Sequence, residues 1–135
     1  MKKIFLSSYI SAIIAGVLFS FSSCGEENSA QPEIEFVVAS SLVSKDTTLE
    51  QGAVFTIGIK AQKSGTEGLL TSCKISRSIN NGTDSTIQQA DFVTQGFTQF
   101  YSYSAIDSSN TERYTFTVTK QDGVSNTVSL TVTGN

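Results

Sequence analysis

The C-terminal segment leaves the least freedom of any stretch in the chain. Tyr114, Phe116 and Val118 alternate with Thr115, Thr117 and Thr119, and after Gln121-Asp122-Gly123 the pattern resumes with Val128, Leu130 and Val132 against Thr127, Ser129 and Thr131. A period of two sends successive side chains to opposite faces of a strand, which no helix can satisfy. The segment therefore predicts a long antiparallel hairpin with one apolar face. A sheet with one apolar face needs a second layer to cover it.

Upstream, the same reading holds from Glu33 onward, with no stretch keeping a useful helical period. Ile34, Phe36 and Val38 predict a first strand with one buried face, and Phe55, Ile57, Ile59 and Ala61 a second, with Thr56, Gly58 and Lys60 opposite. Between Leu70 and Ile79 the inward set is Cys73, Ile75 and Ile79, with Arg77 near a strand end where it reaches water. Asn81-Gly82 supplies the positive φ angles of a tight hairpin. Thr83 to Gln89, with Ile87 as its main apolar residue, suits a lightly buried edge strand. Phe97, Phe100, Tyr101 and Tyr103 fit no single alternation, so a bulge or burial on both faces is expected there. Abundant Thr and Ser, many β-branched residues and one proline agree with strands throughout.

About seven strands in roughly 100 residues predict an all-β, antiparallel two-sheet sandwich of immunoglobulin type. The segment from Tyr114 to Val132 resembles the last two strands of PKD-like and bacterial immunoglobulin-like domains. The resemblance implies that Tyr114 is the counterpart of the tyrosine-corner residue, its hydroxyl bonding backbone a few residues upstream. Unlike antibody-type domains, the chain has no Trp, and only two cysteines, Cys24 and Cys73. With Cys24 modified, Cys73 has no partner for a disulfide, and its place on the apolar side of its strand reads as a small buried hydrophobe.

The N-terminus has the tripartite design of a bacterial export signal: Met1-Lys2-Lys3, then an apolar run from Ile4 to Phe21, then small Ser22-Ser23 before Cys24. An uncleaved membrane anchor would carry the same pattern, and either places the C-terminal domain outside the cytoplasm. Phe21-Ser22-Ser23-Cys24 resembles the lipobox of bacterial lipoproteins, with Phe where Leu is usual. That resemblance implies a signal peptide over 1–23, helical or disordered, lipidation of Cys24, and anchoring to the outer membrane. Several acyl chains hold where one binds only marginally. The acidic pair Glu26 and Glu27 resembles the surface-export signal of Bacteroidota-type lipoproteins, which favours surface exposure over the periplasmic face; a plain polar tether is the alternative. Residues 24–32 form the lipidated cysteine and tether, whose eight residues from Gly25 to Pro32 span under ~30 Å, and 33–135 the sandwich.

Composition narrows the function. Loss of Lys2 and Lys3 leaves seven basic side chains against 12 acidic ones, which disfavours nucleic acid as partner. With no histidine, the usual general base and the commonest zinc ligand are missing, so no enzyme is expected and no catalytic residue or cofactor is assigned. Asp84, Asp91, Asp107, Glu112 and Asp122 fall at predicted turns and strand ends, where acids are ordinarily solvated. The oxygen-rich loops 80–84 and 107–110 are explained by turn chemistry without a metal. Tyr101 and Tyr103 are candidates for a sugar-stacking platform; packing between the sheets with wet hydroxyls is the favoured alternative. Asp46-Thr47-Thr48 and Asp84-Ser85-Thr86 resemble the O-glycosylation motif of exported Bacteroidota-type proteins, with Thr47 and Ser85 as acceptors. The expected role is a noncatalytic binding or adhesion module with a glycan or envelope protein as partner, or else an accessory subunit of an envelope assembly on the periplasmic face. An open, apolar edge strand would favour β-strand pairing with a protein partner.

Overall fold

The computed structural model describes residues 30–66, 68–105 and 107–135. The expected signal peptide, Cys24, Glu26 and Glu27 lie outside the described residues, and of the tether only 30–32 fall within them.

Within the described residues eight strands follow one another: β1 (Glu33–Phe36), β2 (Thr47–Leu49), β3 (Val54–Gln62), β4 (Leu70–Ile79), β5 (Ser85–Thr94), β6 (Gly96–Ser104), β7 (Thr111–Lys120) and β8 (Ser125–Gly134). They form two sheets, ordered β1-β3-β6 and β2-β8-β7-β4-β5. The chain is thus the all-β sandwich its alternations predict, and the described residues contain no helix. One strand is additional. β2 is too short to show a period in sequence, and it runs parallel to β8, with Thr47 opposite Val132. Asp46 fixes it there by accepting the Thr131 N–H at 2.8 Å.

The β7–β8 hairpin keeps its register from Thr111↔Thr133 to Thr119↔Ser125. Tyr114, Phe116 and Val118 are fully buried, and face Phe55, Ile57, Ile59 and Ala61 of β3 across the core. Phe116 lies at the centre, with Phe36 edge-on at 6.1 Å and Tyr101 at 5.8 Å between ring centroids. Burying each such side chain stabilises the fold by ~1.5 to 3 kcal/mol. With Cys73 the one free cysteine described, packing carries the stability.

Four local expectations change. β1 ends at Phe36, and Val38 is 83% exposed, because the Val37 N–H bonds Gly58 O and the chain turns at 39–42, which breaks the alternation. In the β4–β5 hairpin the left-handed residues are Asn80 and Asn81 (φ 50° and 58°) rather than Asn81 and Gly82. Gly82 N donates to Ile79 O at 2.9 Å, closing a mirror-image two-residue turn whose central pair lies one residue earlier than expected. β6 has neither bulge nor two-faced burial: its register with β3 is unbroken from Val54↔Ser104 to Gln62↔Gly96, and Phe100 simply points outward. On β4, Ile79 at the strand end is part-exposed, while Leu70 joins the core.

Candidate interaction edge

Two sheets give four edges, and three of them are blunted against pairing with other chains. β1 is four residues long and carries Glu33 and Glu35; β2 is three residues long. β5, the edge strand foreseen around Thr83 to Gln89, breaks register with β4 at two places and carries Asp91. Shortness, charge and bulges are the usual protections of an exposed edge.

β6 has none of them. Its nine residues, Gly-Phe-Thr-Gln-Phe-Tyr-Ser-Tyr-Ser, contain no charge and no proline, and they pair with β3 without irregularity. The bonds Lys63 N to Gln95 O and Ala105 N to Ala53 O mark the odd-numbered residues as those bonded to β3. In an antiparallel pair the alternate residues turn their N–H and C=O the other way. Thr98, Phe100 and Ser102 therefore direct ladder groups away from the sheet, with no backbone partner among the described residues.

The outer face beside this edge is part apolar. Phe100, 58% exposed, lies over Gly58, with Val37 and Leu42 on the other side of that glycine. A Cβ on Gly58 would meet Val37 Cβ at 2.9 Å, Phe100 Cε1 at 3.0 Å and Leu42 Cδ1 at 3.1 Å. The bare backbone at Gly58 is what lets the three side chains close over β3. Thr56 and Ser102 share a hydroxyl hydrogen bond of 2.9 Å, and Lys60 pairs with Glu35 at 3.3 Å, farther along the same face.

Tyr101 and Tyr103 are not displayed as a stacking platform. Their odd parity on β6 turns them inward, Tyr101 against Phe116 and Tyr103 against Tyr114 at 4.7 Å between centroids, so their faces are already occupied. The Tyr101 hydroxyl donates to Gln99 Oε1 at 2.5 Å, and the Tyr103 hydroxyl has no hydrogen-bond partner among the described residues. Burial above all, with the nearby Cys73 adding to it and Arg77 opposing, pushes the Tyr103 hydroxyl up to about 12. Burial and Cys73 also raise Tyr101. Cys73 is itself raised by burial, partly offset by a hydrogen bond with Tyr101, and is a packed thiol rather than a reactive one.

Glu112 departs furthest from expectation. It is 2% exposed, not solvated, because it shares the parity of Tyr114, Phe116 and Val118 on β7. Its Oε2 accepts the Tyr114 hydroxyl at 3.0 Å and its Oε1 pairs with Arg77 Nη1 at 3.6 Å. Tyr114 therefore makes no tyrosine corner: its hydroxyl meets a carboxylate two residues back on the same face, not a backbone carbonyl. Arg77 reaches water as expected, one third exposed, while its head serves the buried acid. Lys120, at the other end of the same inner row, is buried too. Extending the even parity of Tyr114 in both directions would have marked both charges.

Asp84 pairs with Arg113 at 3.3 Å, and among the described residues no group of three His, Cys, Asp or Glu side chains is placed to hold a metal ion. Of the two glycosylation candidates, Ser85 is exposed at the start of β5, whereas Thr47 is half-buried with its backbone paired to β8.

No family model and no curated protein matches the chain. Solved structures similar to it include the following two. The sporulation control protein Spo0M from Bacillus subtilis aligns over 78% of this chain and 51% of its own, at 8% identity and a TM-score of 0.46, so the chain spans about half the length of that relative. A Bordetella pertussis protein assigned as ApaA aligns over 74% of this chain and 85% of its own, at 15% identity and a TM-score of 0.36. At such values neither protein's role transfers to this chain.

Proposed function

We propose that this chain is a lipid-anchored, noncatalytic binding module of the bacterial cell envelope. It is held to the outer membrane through an acylated Cys24 and engages a protein partner by strand addition along β6. The observation that carries the binding reading is the β6 edge: nine uncharged residues in unbroken register, with ladder groups directed outward. Main-chain bonds along such an edge give affinity, and alternate side chains give selectivity. The inward packing of Tyr101 and Tyr103 favours a polypeptide over a glycan as partner. The anchor rests on Phe21-Ser22-Ser23-Cys24 at the end of the apolar run, and the surface location on Glu26 and Glu27.

The strand order supports an immunoglobulin-like type, as in PKD-like domains. β1-β3-β6 facing β8-β7-β4 matches the two rows of that plan, with β5 attached beside β4 as in its variable form.

Three measurements test the reading. Metabolic labelling with a fatty acid should mark the wild type and not Cys24→Ser; an unlabelled wild type removes the anchor. Protease added to intact cells should cleave the domain, whereas protection until the outer membrane is ruptured moves it to the periplasmic face, where an accessory subunit of an envelope assembly becomes the better description. A photo-crosslinking residue at Thr98 should capture a partner that the same residue at Ser85 does not, and Ser102→Pro should abolish that capture. Equal capture at both sites would exclude β6 as the binding edge.

A further inference from the structure

Three consecutive backbone carbonyls at the start of the described chain are each held by a side chain from a different part of the sandwich. Lys120 Nζ donates to Ala30 O at 3.0 Å, Ser64 Oγ donates to Gln31 O, and Asn126 Nδ2 donates to Pro32 O at 2.9 Å. Pro32 itself is fully buried. Chain termini are ordinarily loose unless something ties them down. Here the ties include a lysine only 2% exposed, a residue type almost never buried without partners. Asp122 lies 3.3 Å from its ammonium, and Gly68, at φ +76°, makes room for its stem, since a Cβ there would sit 3.0 Å from Lys120 Cε.

We propose that this clasp orients the sandwich on the membrane, with the end formed by the turns at 63–69, 95 and 121–124 facing the lipid surface and the loops at 50–53, 80–84 and 107–110 facing away. The inference rests on the Cys24 anchor. From Cys24 to Ala30 the chain advances six residues, at most ~22 Å at full extension. The ten-residue strands make the sandwich about 30 Å long. With the clasp closed, an inverted domain would need its exit point about 30 Å above the lipid, beyond the reach of the leash. Releasing 30–32 lengthens the leash to nine residues and ~32 Å, which makes inversion sterically open. Three hydrogen bonds thus separate a domain that stands one way up from one that can stand either way. Held upright, β6 presents its open edge sideways to a neighbour in the same membrane.

The test uses the full-length protein, purified with its anchor and reconstituted into phosphatidylethanolamine–phosphatidylglycerol vesicles that carry a headgroup-attached quencher. Fluorophores are placed through Gln121→Cys or Ser108→Cys, Cys73 being buried. The 121 label should be quenched severalfold more than the 108 label. The pair Lys120→Met with Asn126→Ala should bring the two toward equality, and so should six Gly-Ser residues inserted between Ser29 and Ala30, which lengthen the leash without touching the fold. Equal quenching in the unmodified leash, or a ratio unmoved by the insertion, overturns the orientation. Failure of the protein to float with the vesicles overturns the anchor instead, so the two readings fail separately.

Discussion

The Tyr114 hydroxyl donates to Glu112 Oε2 over 3.0 Å, joining two fully buried side chains on one face of β7. Glu112 Oε1 has no hydrogen bond among the described residues and relies on Arg77 at 3.6 Å. A carboxylate in an apolar interior is tolerable only while its partners remain. Arg77→Ala should therefore cost ~3 to 5 kcal/mol, well beyond the value of the packing removed. The pair Arg77→Met with Glu112→Leu should recover most of that loss, because no buried charge is then left alone. Urea unfolding of the three proteins decides it: equal stabilities for the single and double variants would refute the buried-charge account.

Alkaline pH should unfold the domain in a way that acid near neutrality does not. With no histidine in the chain, no side chain ordinarily titrates between about pH 5 and 8. All three tyrosines of the domain are raised by burial, Tyr103 to about 12 and Tyr101 and Tyr114 higher. A raised pKa in the fold means that the folded state holds protons which the unfolded state releases near ~10. The stabilisation is complete below ~10 and is lost as pH climbs toward the folded values. Phenolate absorbance should rise together with the loss of near-ultraviolet circular dichroism. Tyrosines titrating near ~10 with tertiary structure intact would contradict the packing of all three.

How far the sequence reached depended on where alternation is local and where contact decides. Period-two patterns located β3 to within one residue and the middles of β7 and β8, whose ends run one to three residues farther, because each has one apolar face and no irregularity. β2 was invisible: three residues show no period, and its place depends on Asp46 meeting Thr131 from 85 positions away. Glu112 and Lys120 are hard to read in sequence because their charge points to solvent while their parity points to the core. The β6 edge was half legible. Its lack of charge is plain in sequence, but which neighbour it lacks is a property of sheet order alone.

The β4–β5 turn separates two glycine arguments that sequence confuses. Asn81 holds φ 58°, where an L-residue is strained and glycine is not. Asn81→Gly should raise the melting temperature, by the equivalent of up to ~1 kcal/mol. Gly82 has no positive φ, and a Cβ there would sit 2.9 Å from Ile79 O, the acceptor that closes the turn. Gly82→Ala should lower stability by ~1 to 3 kcal/mol. The opposite ordering of the two variants in thermal melts would put the left-handed pair back at Asn81-Gly82.

Gly58 and Phe100 should behave as one unit on the outer face of β3. They are cross-strand partners, and the phenyl ring occupies the space that a side chain on residue 58 would need. Gly58→Ala must push aside Phe100, Val37 and Leu42, at a cost of ~1 to 3 kcal/mol. Phe100→Ala should cost less than a core truncation, since more than half of the residue is already exposed. In the double variant the new methyl group fills part of the space left by the ring, so the two losses should not add. A coupling of ~0.5 to 3 kcal/mol is expected from a double-mutant cycle on contacting residues. Strict additivity in denaturant unfolding would mean that Phe100 does not rest on Gly58 in solution. The same variant separates stability from recognition: if the partner strand packs on this face, Phe100→Ala should weaken capture at Thr98 by more than its modest effect on the fold explains.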